Sequence, residues 1–215
     1  MRFTDICNRI FSLAVGDYHI TDDVDVVCSN PYEVGSLEHV LYKKAWIDTL
    51  QWHLEDLIRS PRIEPSAALE VKRRIDRSNQ ERTDIVEEID TYFLEQYRDV
   101  VVLPDARLNT ESPAWAIDRL SILHVKLWHM REQVERADAS REHIERCRAK
   151  LQVLQEQFVD LTTSIDQLLA DYSAGRRVMK VYRQMKMYND PSLNPVLYKV
   201  TKELSTKDQG KGLRD

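Results

Sequence analysis

Glycine is scarce in this sequence, at 5 of 215 residues, and proline is nearly as rare at 7. The chain accordingly carries no glycine-rich phosphate loop, no nucleophile elbow and no zinc-protease motif. Cysteine occurs three times, at Cys7, Cys28 and Cys147, an odd number with no close spacing. That excludes a CxxC pair or a metal finger and points to a reducing, cytoplasmic setting. Long apolar runs are missing too. Nothing approaches the roughly 18 residues a membrane span needs, and Ile10–Val15 is too short for the core of a signal peptide. No platform of interleaved aromatic and basic residues is present, so nucleic acid is not an expected partner.

What the chain does have is charge and helical periodicity: 31% charged and 42% hydrophobic residues, a mix that belongs to long helices. The pattern predicts an all-α fold, a long antiparallel helical bundle of four main helices with short helices at the N- and C-terminal ends. A first helix is expected over 3–15, then irregular chain over 16–35. The second helix runs from Ser36 to about Ser60, where Pro61 stops it. The third spans about 65–97. The fourth starts at Ser112–Pro113, a capping residue followed by the proline that suits a first turn, and reaches about 136. The fifth runs from Ser140 to Gly175, and a short sixth is expected over 178–188. The domain reading is an N-terminal helix and loop over 1–35, a bundle over 36–190 and a basic, frayed tail over 191–215.

The most informative stretch lies inside the third helix. Nine residues, Asp76 to Asp84, contain no apolar side chain, yet both flanks continue one amphipathic helix. At about 100° per residue, Arg82 falls within roughly 20–40° of Ile75, Val86, Ile89 and Phe93. A charge in the middle of a buried stripe must be paired, because an unpaired one is very costly. Asp118 on the fourth helix is the first candidate partner, with Asp56 as another. The fourth helix is apolar on two sides, which places it centrally and predicts that Asp118, Arg119 and His129 are at least half-buried.

These positions define the candidate site. Lys72, Asn79, Arg82, Arg119 and Lys126 are candidate binders of an anionic small molecule, since arginine forks suit phosphate and carboxylate. His53, His129 and Asp118 are the candidate acid–base groups. On the second helix Thr49, His53 and Asp56 share an edge. Such a histidine could hold a metal if another helix supplied more ligands, but one His and one Asp form no metal set, and none is assigned. The competing reading is a closed salt-bridge network that fixes helix register, with no ligand. Two further patterns are weaker. Glu81-x-x-Asp84 and Glu87-x-x-Asp90 have the spacing of a helical metal-dependent nucleotide pyrophosphatase, but Glu81 and Asp84 point roughly 100–160° away from the buried stripe, and Glu87 and Asp90 lie off its centre. Arg119-x4-His124 fits a helical RNase as a string, but places its two side chains about 140° apart.

Two features suit a protein partner instead. Ile144, Cys147, Leu151, Leu154, Phe158, Leu161, Ile165, Leu168 and Tyr172 form an unbroken 3-4 seam over 144–172, which packs either inside this bundle or against another chain. From Gly175 onward ten Lys or Arg oppose four acids, leaving −11 on the first 174 residues. That basic tail would meet nucleic acid, an acidic partner, anionic lipid or, as the favoured reading, the protein's own acidic body.

Three blocks, Trp52-His-Leu-Glu-Asp56, Lys72-Arg-Arg-Ile-Asp-Arg-Ser-Asn-Gln-Glu-Arg82 and Asn109 to Leu123 with Trp128-His-Met130, resemble a bacterial family known only as a domain of unknown function. The resemblance covers about residues 30–195. It implies an all-helical cytoplasmic protein in a surface-polysaccharide context and supplies no catalytic residues or cofactor. Two functions stay open: a small-molecule site for a phosphorylated or sugar-like ligand, or a non-catalytic binding subunit for an enzyme such as a glycosyltransferase.

Overall fold

The computed structural model describes residues 2–184, 187 and 190–199. Five long helices follow in order: α1 (Phe3–Thr21), α2 (Leu37–Ile58), α3 (Pro65–Gln96), α4 (Pro113–Glu135) and α5 (Arg141–Ser173). Among the described residues there is no strand, only an isolated bridge between Arg107 and Arg177. The protein is all-α. By its contacts the chain divides into two units, Met1–Val181 with all five long helices and Tyr182–Asp215. Within the second, residues 195–199 form a short helix. None of the described helices is long and apolar enough to cross a membrane.

Capping explains most boundaries. Ser36 accepts a hydrogen bond from the His39 amide at 3.1 Å, and Ser140 accepts from the His143 amide at 3.2 Å, each satisfying one free donor of a first turn. Ser112 holds the cap position of α4, but its side chain accepts no capping bond; Pro113 starts that helix through its fixed φ. The first helix runs farther than its sequence predicts. Gly16 does not end it, because Ala14, Val15 and Tyr18 are buried on either side, and that burial outweighs the roughly 1 kcal/mol a helical glycine costs. The stop comes at Asp22, in the left-handed region at φ 48°.

α2 packs against α1, α3 and α4, while α4 touches all four other helices. The shared core includes Phe11, Tyr18, Leu41, Tyr42, Ile89, Phe93, Ile117 and Leu120. The seam of α5 lies against this chain's own α4, its most extensive helix–helix contact, and every seam residue is at least partly buried. Beyond the start of α4, the end of α5 meets other elements: Thr4 Oγ1 donates to Asp166 at 2.7 Å and the Tyr97 hydroxyl to the Leu169 carbonyl at 3.3 Å.

The helix expected over 178–188 is not formed through residue 184, and residues 185, 186, 188 and 189 lie outside the described ones. Gly175 at φ 68° ends α5. Its amide donates to the Tyr172 carbonyl and that of Arg176 to the Asp171 carbonyl, the paired bonds of a Schellman stop. The chain then turns along 103–107. Leu103 and Arg107 donate to the carbonyls of Gly175 and Arg176, and Val178 donates back to Arg107. Those bonds commit the backbone groups a helix would have used. Of the tail expected over 191–215, residues 200–215 lie outside the described ones.

A side chain at residue 175 would combine left-handed strain with a collision, since an added Cβ falls 2.2 Å from the Val101 carbonyl oxygen. Gly175→Ala is expected to lower unfolding stability by about 1–3 kcal/mol in urea titration. An unchanged midpoint would show that this crossing does not anchor the end of α5.

Candidate functional site

The polar centre is built by three helices. On α2, Lys44 and Asp48 sit one turn apart and pair directly. The Lys44 side chain is 0% exposed. Its ammonium also lies 2.9 Å from Asp118 on α4. From α3, Arg82 reaches both acids: Nε is 2.7 Å from Asp48 Oδ1, and Nη2 donates to Asp118 Oδ1 at 3.1 Å. The Nε approach is off the N–H axis, an ion pair rather than an aligned hydrogen bond. The buried Ser121 hydroxyl donates to Asp48 Oδ2 at 2.6 Å. Two cations and two anions thus alternate. Burial pulls the Arg82 pKa down, but the Asp48 and Asp118 carboxylates outweigh it and hold the guanidinium above its ordinary value.

Over this cluster opens a cleft of about 380 Å³, within the range of ligand pockets. It is lined by Asp48, Gln51, Trp52, Glu55, Asp56, Arg59, Arg82, Ile122 and Val125. Arg59 pairs with Glu55 at 2.8 Å. Gln51 donates to Asn79 at 2.8 Å and accepts from Ser78 at 3.2 Å, tying α2 to α3 beside the cleft.

The residues singled out from sequence do not all meet here. Arg82 and Asp118 do, and Asn79 stands next to them through Gln51. Lys72 pairs with Asp76 on an exposed surface. Arg119 is 63% exposed and paired with Glu111, so its expected burial is wrong. Its neighbour on α4, Asp118, turns inward, whereas Arg119 and Lys126 line a separate cleft against α5. The RNase pairing also fails: His124 is buried, with Nε2 3.1 Å from Asn8 Oδ1 and Nδ1 3.3 Å from the Ser12 hydroxyl, on another side from Arg119. Of the spaced acids on α3, Glu81 and Asp84 are exposed but Asp90 is buried. The sequence reading missed Lys44 and Asp48. The angular test applied to Arg82 would have flagged Lys44, which sits in the stripe between Val40 and Ile47.

His53 and His129 do come together, away from the cleft lining and with a partner the sequence reading left out. His19, on the last turn of α1, brings its Nε2 to 3.3 Å from His53 Nε2. One nitrogen from each of His19, His53 and His129 lies within 4.8 Å of the others. Each imidazole is stacked on an aromatic ring: His53 on Tyr18 at 5.1 Å, His19 on Trp128 at 4.6 Å and His129 on Trp52 at 4.7 Å between centroids. Burial lowers the His53 pKa, opposed by Asp22 and reinforced by the two neighbouring histidines. His19 went unnoticed because the first helix was expected to stop at residue 15.

His124 sets a pH dependence. Burial, and then Arg131, hold its pKa down to about 4 from an ordinary 6.5. The unfolded chain therefore binds more protons between these values. The stability contributed by neutral His124 is full above about pH 6.5 and is lost as pH falls through 4, up to on the order of 3 kcal/mol. His124→Gln is expected to flatten the fall in melting temperature between pH 6.5 and 4.5. An unchanged slope would mean that other groups carry it.

No functionally curated protein and no solved structure matches this chain. The sequence profile of one family, described as a protein of unknown function (DUF4254), spans residues 38–181, well over half the chain and within the region where the resemblance was read. Its span covers α2 to α5, the whole ion cluster and two of the three clustered histidines. The chain belongs to the DUF4254 family.

Proposed function

We propose that the cleft beside Arg82 binds a small, polyhydroxylated, sugar-like molecule. The observation that carries this reading is the lining. Trp52 offers an aromatic wall, braced by its stack on His129, and Gln51, Glu55, Asp56 and Arg59 surround it with hydrogen-bonding groups. An apolar platform ringed by hydrogen-bond donors and acceptors suits the alternating C–H and hydroxyl faces of a sugar. A ligand recognised chiefly through phosphate is less well served. The lining holds three acids against two cations, and each cation already faces a carboxylate: Arg59 on Glu55, Arg82 on Asp48 and Asp118. The sugar-like class also agrees with the surface-polysaccharide setting that the family resemblance implies. Of the candidate binders, Arg82 acts here with Asn79 as its neighbour; Lys72, Arg119 and Lys126 stand elsewhere. Asp118 holds Arg82, and His53 and His129 lie behind the wall, so acid–base work in the cleft would fall to Glu55 or Asp56.

The second reading, a non-catalytic subunit for a glycosyltransferase-like enzyme, draws on α5. Val153 and Val159 are exposed outside the seam, and Val153 borders the cleft between α4 and α5.

A thermal-shift panel of neutral sugars, nucleotide sugars, sugar phosphates and inorganic phosphate decides the ligand class. A native-state ligand at about 100 times its Kd adds roughly 2.7 kcal/mol, a shift of a few degrees at this size. The expected result is a shift with a sugar-bearing compound, none with phosphate alone, and loss of the shift in Trp52→Ala. A shift from phosphate alone, or an unchanged one in Trp52→Ala, contradicts the reading.

A further inference from the structure

We propose that His19, His53 and His129 form a binding site for a divalent transition-metal ion, zinc foremost, through their three Nε2 atoms. The inference goes beyond the cleft reading and does not depend on what the cleft holds.

Proton placement carries the argument. His19 Nδ1 lies 2.6 Å from the Val15 carbonyl oxygen. A carbonyl only accepts, so Nδ1 carries the proton and the neutral ring presents its Nε2 lone pair. His129 Nδ1 lies 2.8 Å from a Glu132 carboxylate oxygen, and the same logic leaves its Nε2 as a bare lone pair. That atom is buried and has no hydrogen-bond partner among the described residues. Two lone pairs thus point into the space that His53 Nε2 also faces. One N–H from His53 satisfies His19 and leaves His129 unsatisfied, whereas a single cation satisfies all three.

The surroundings match what such a cation requires. Imidazole nitrogen is a preferred ligand of zinc, and three protein ligands with one open position are the usual set of a reactive rather than a structural zinc. A tetrahedral ion with Zn–N of 2.0–2.1 Å places its ligand atoms about 3.3–3.4 Å apart. The His19–His53 pair is already at 3.3 Å. Bringing in the widest separation, at most 4.8 Å, takes side-chain adjustments that total up to about 1.4 Å. The remaining nitrogen of His19 is held by a backbone carbonyl and that of His129 by a carboxylate, the outer partners that orient ligating histidines. Glu132 is itself fixed by the Trp128 indole N–H at 3.1 Å. Each ring is further locked by its stacked aromatic, and the three come from three different helices, so the fold and not local sequence brings them together. Asp22 Oδ1, 3.5 Å from His53 Nε2, stands beside the cluster, where an oxygen ligand in the fourth position would meet it.

The test uses the full chain with any polyhistidine tag removed. The metal-stripped protein is titrated with Zn²⁺ against a chromophoric chelator, and Co²⁺ is added separately to read the visible spectrum. The expected result is one Zn²⁺ per chain and intense Co²⁺ bands of tetrahedral nitrogen ligation. Affinity should fall at least tenfold in His129→Ala and in His19→Ala, each checked for native circular dichroism. Because a buried histidine variant can lose its fold, Glu132→Gln gives a second arm. This residue is 49% exposed and binds no metal itself, and its loss as an outer partner is expected to weaken Zn²⁺ 10- to 100-fold. Substoichiometric zinc, octahedral Co²⁺ bands, or equal affinity in all three variants overturns the proposal and leaves the cluster as an aromatic packing motif.

Discussion

The alternating ring of Lys44, Asp48, Arg82 and Asp118 is the constraint around which this bundle is arranged. Four buried or nearly buried charges from three helices meet at distances of about 3 Å, and each would be strongly unfavourable without the others. A one-residue slip of α2, α3 or α4 would rotate one of them by about 100° and strand its partners. The ring therefore does for register what the apolar contacts do for compactness.

Both the cleft and the histidine cluster draw residues from α2 within two turns of Asp48. Asp48 belongs both to the ring and to the cleft, and Trp52, one turn on, forms the cleft wall. The next residue, His53, points to the other side of α2 and enters the histidine cluster. Trp52 also touches that cluster through its stack on His129. Trp52 thus stands between the two, lining the cleft with its indole and stacking on one imidazole of the cluster. The outward-facing Arg119 and Lys126 belong to none of this, although they are adjacent in sequence to residues that do.

The helices were readable because periodicity, caps and helix stops agree at most boundaries: Ser36, Pro61, Pro65, Pro113, Ser140 and Gly175 all stand where an element starts or ends. The readings that failed did so for tertiary reasons. Gly16 looks like a stop but is overruled by the buried residues on either side of it. The segment after Gly175 has a helical pattern, but its backbone is taken by 103–107. Arg82 was visible as a misplaced charge because its flanks are plainly apolar, and its pairing with Asp118 followed from the second helix face. Lys44 and Asp48 were masked by an α2 buried on nearly all sides, where no polar face frames the exception. The histidine cluster was half visible. His53 and His129 are prominent, but no local spacing links three histidines on three helices, and the third lay beyond a mistaken helix end.

A double-mutant cycle on Lys44 and Asp118 tests the central claim directly, because removing both leaves the Arg82–Asp48 pair neutral and intact. Lys44→Met and Asp118→Asn are each expected to cost about 3 kcal/mol or more by leaving a buried charge unmatched. The double variant should cost less than their sum by roughly 2 kcal/mol, within the range of interacting sites. Costs that add within about 0.5 kcal/mol would show that the two charges do not depend on each other, and the ring would then not be what holds the helices in register.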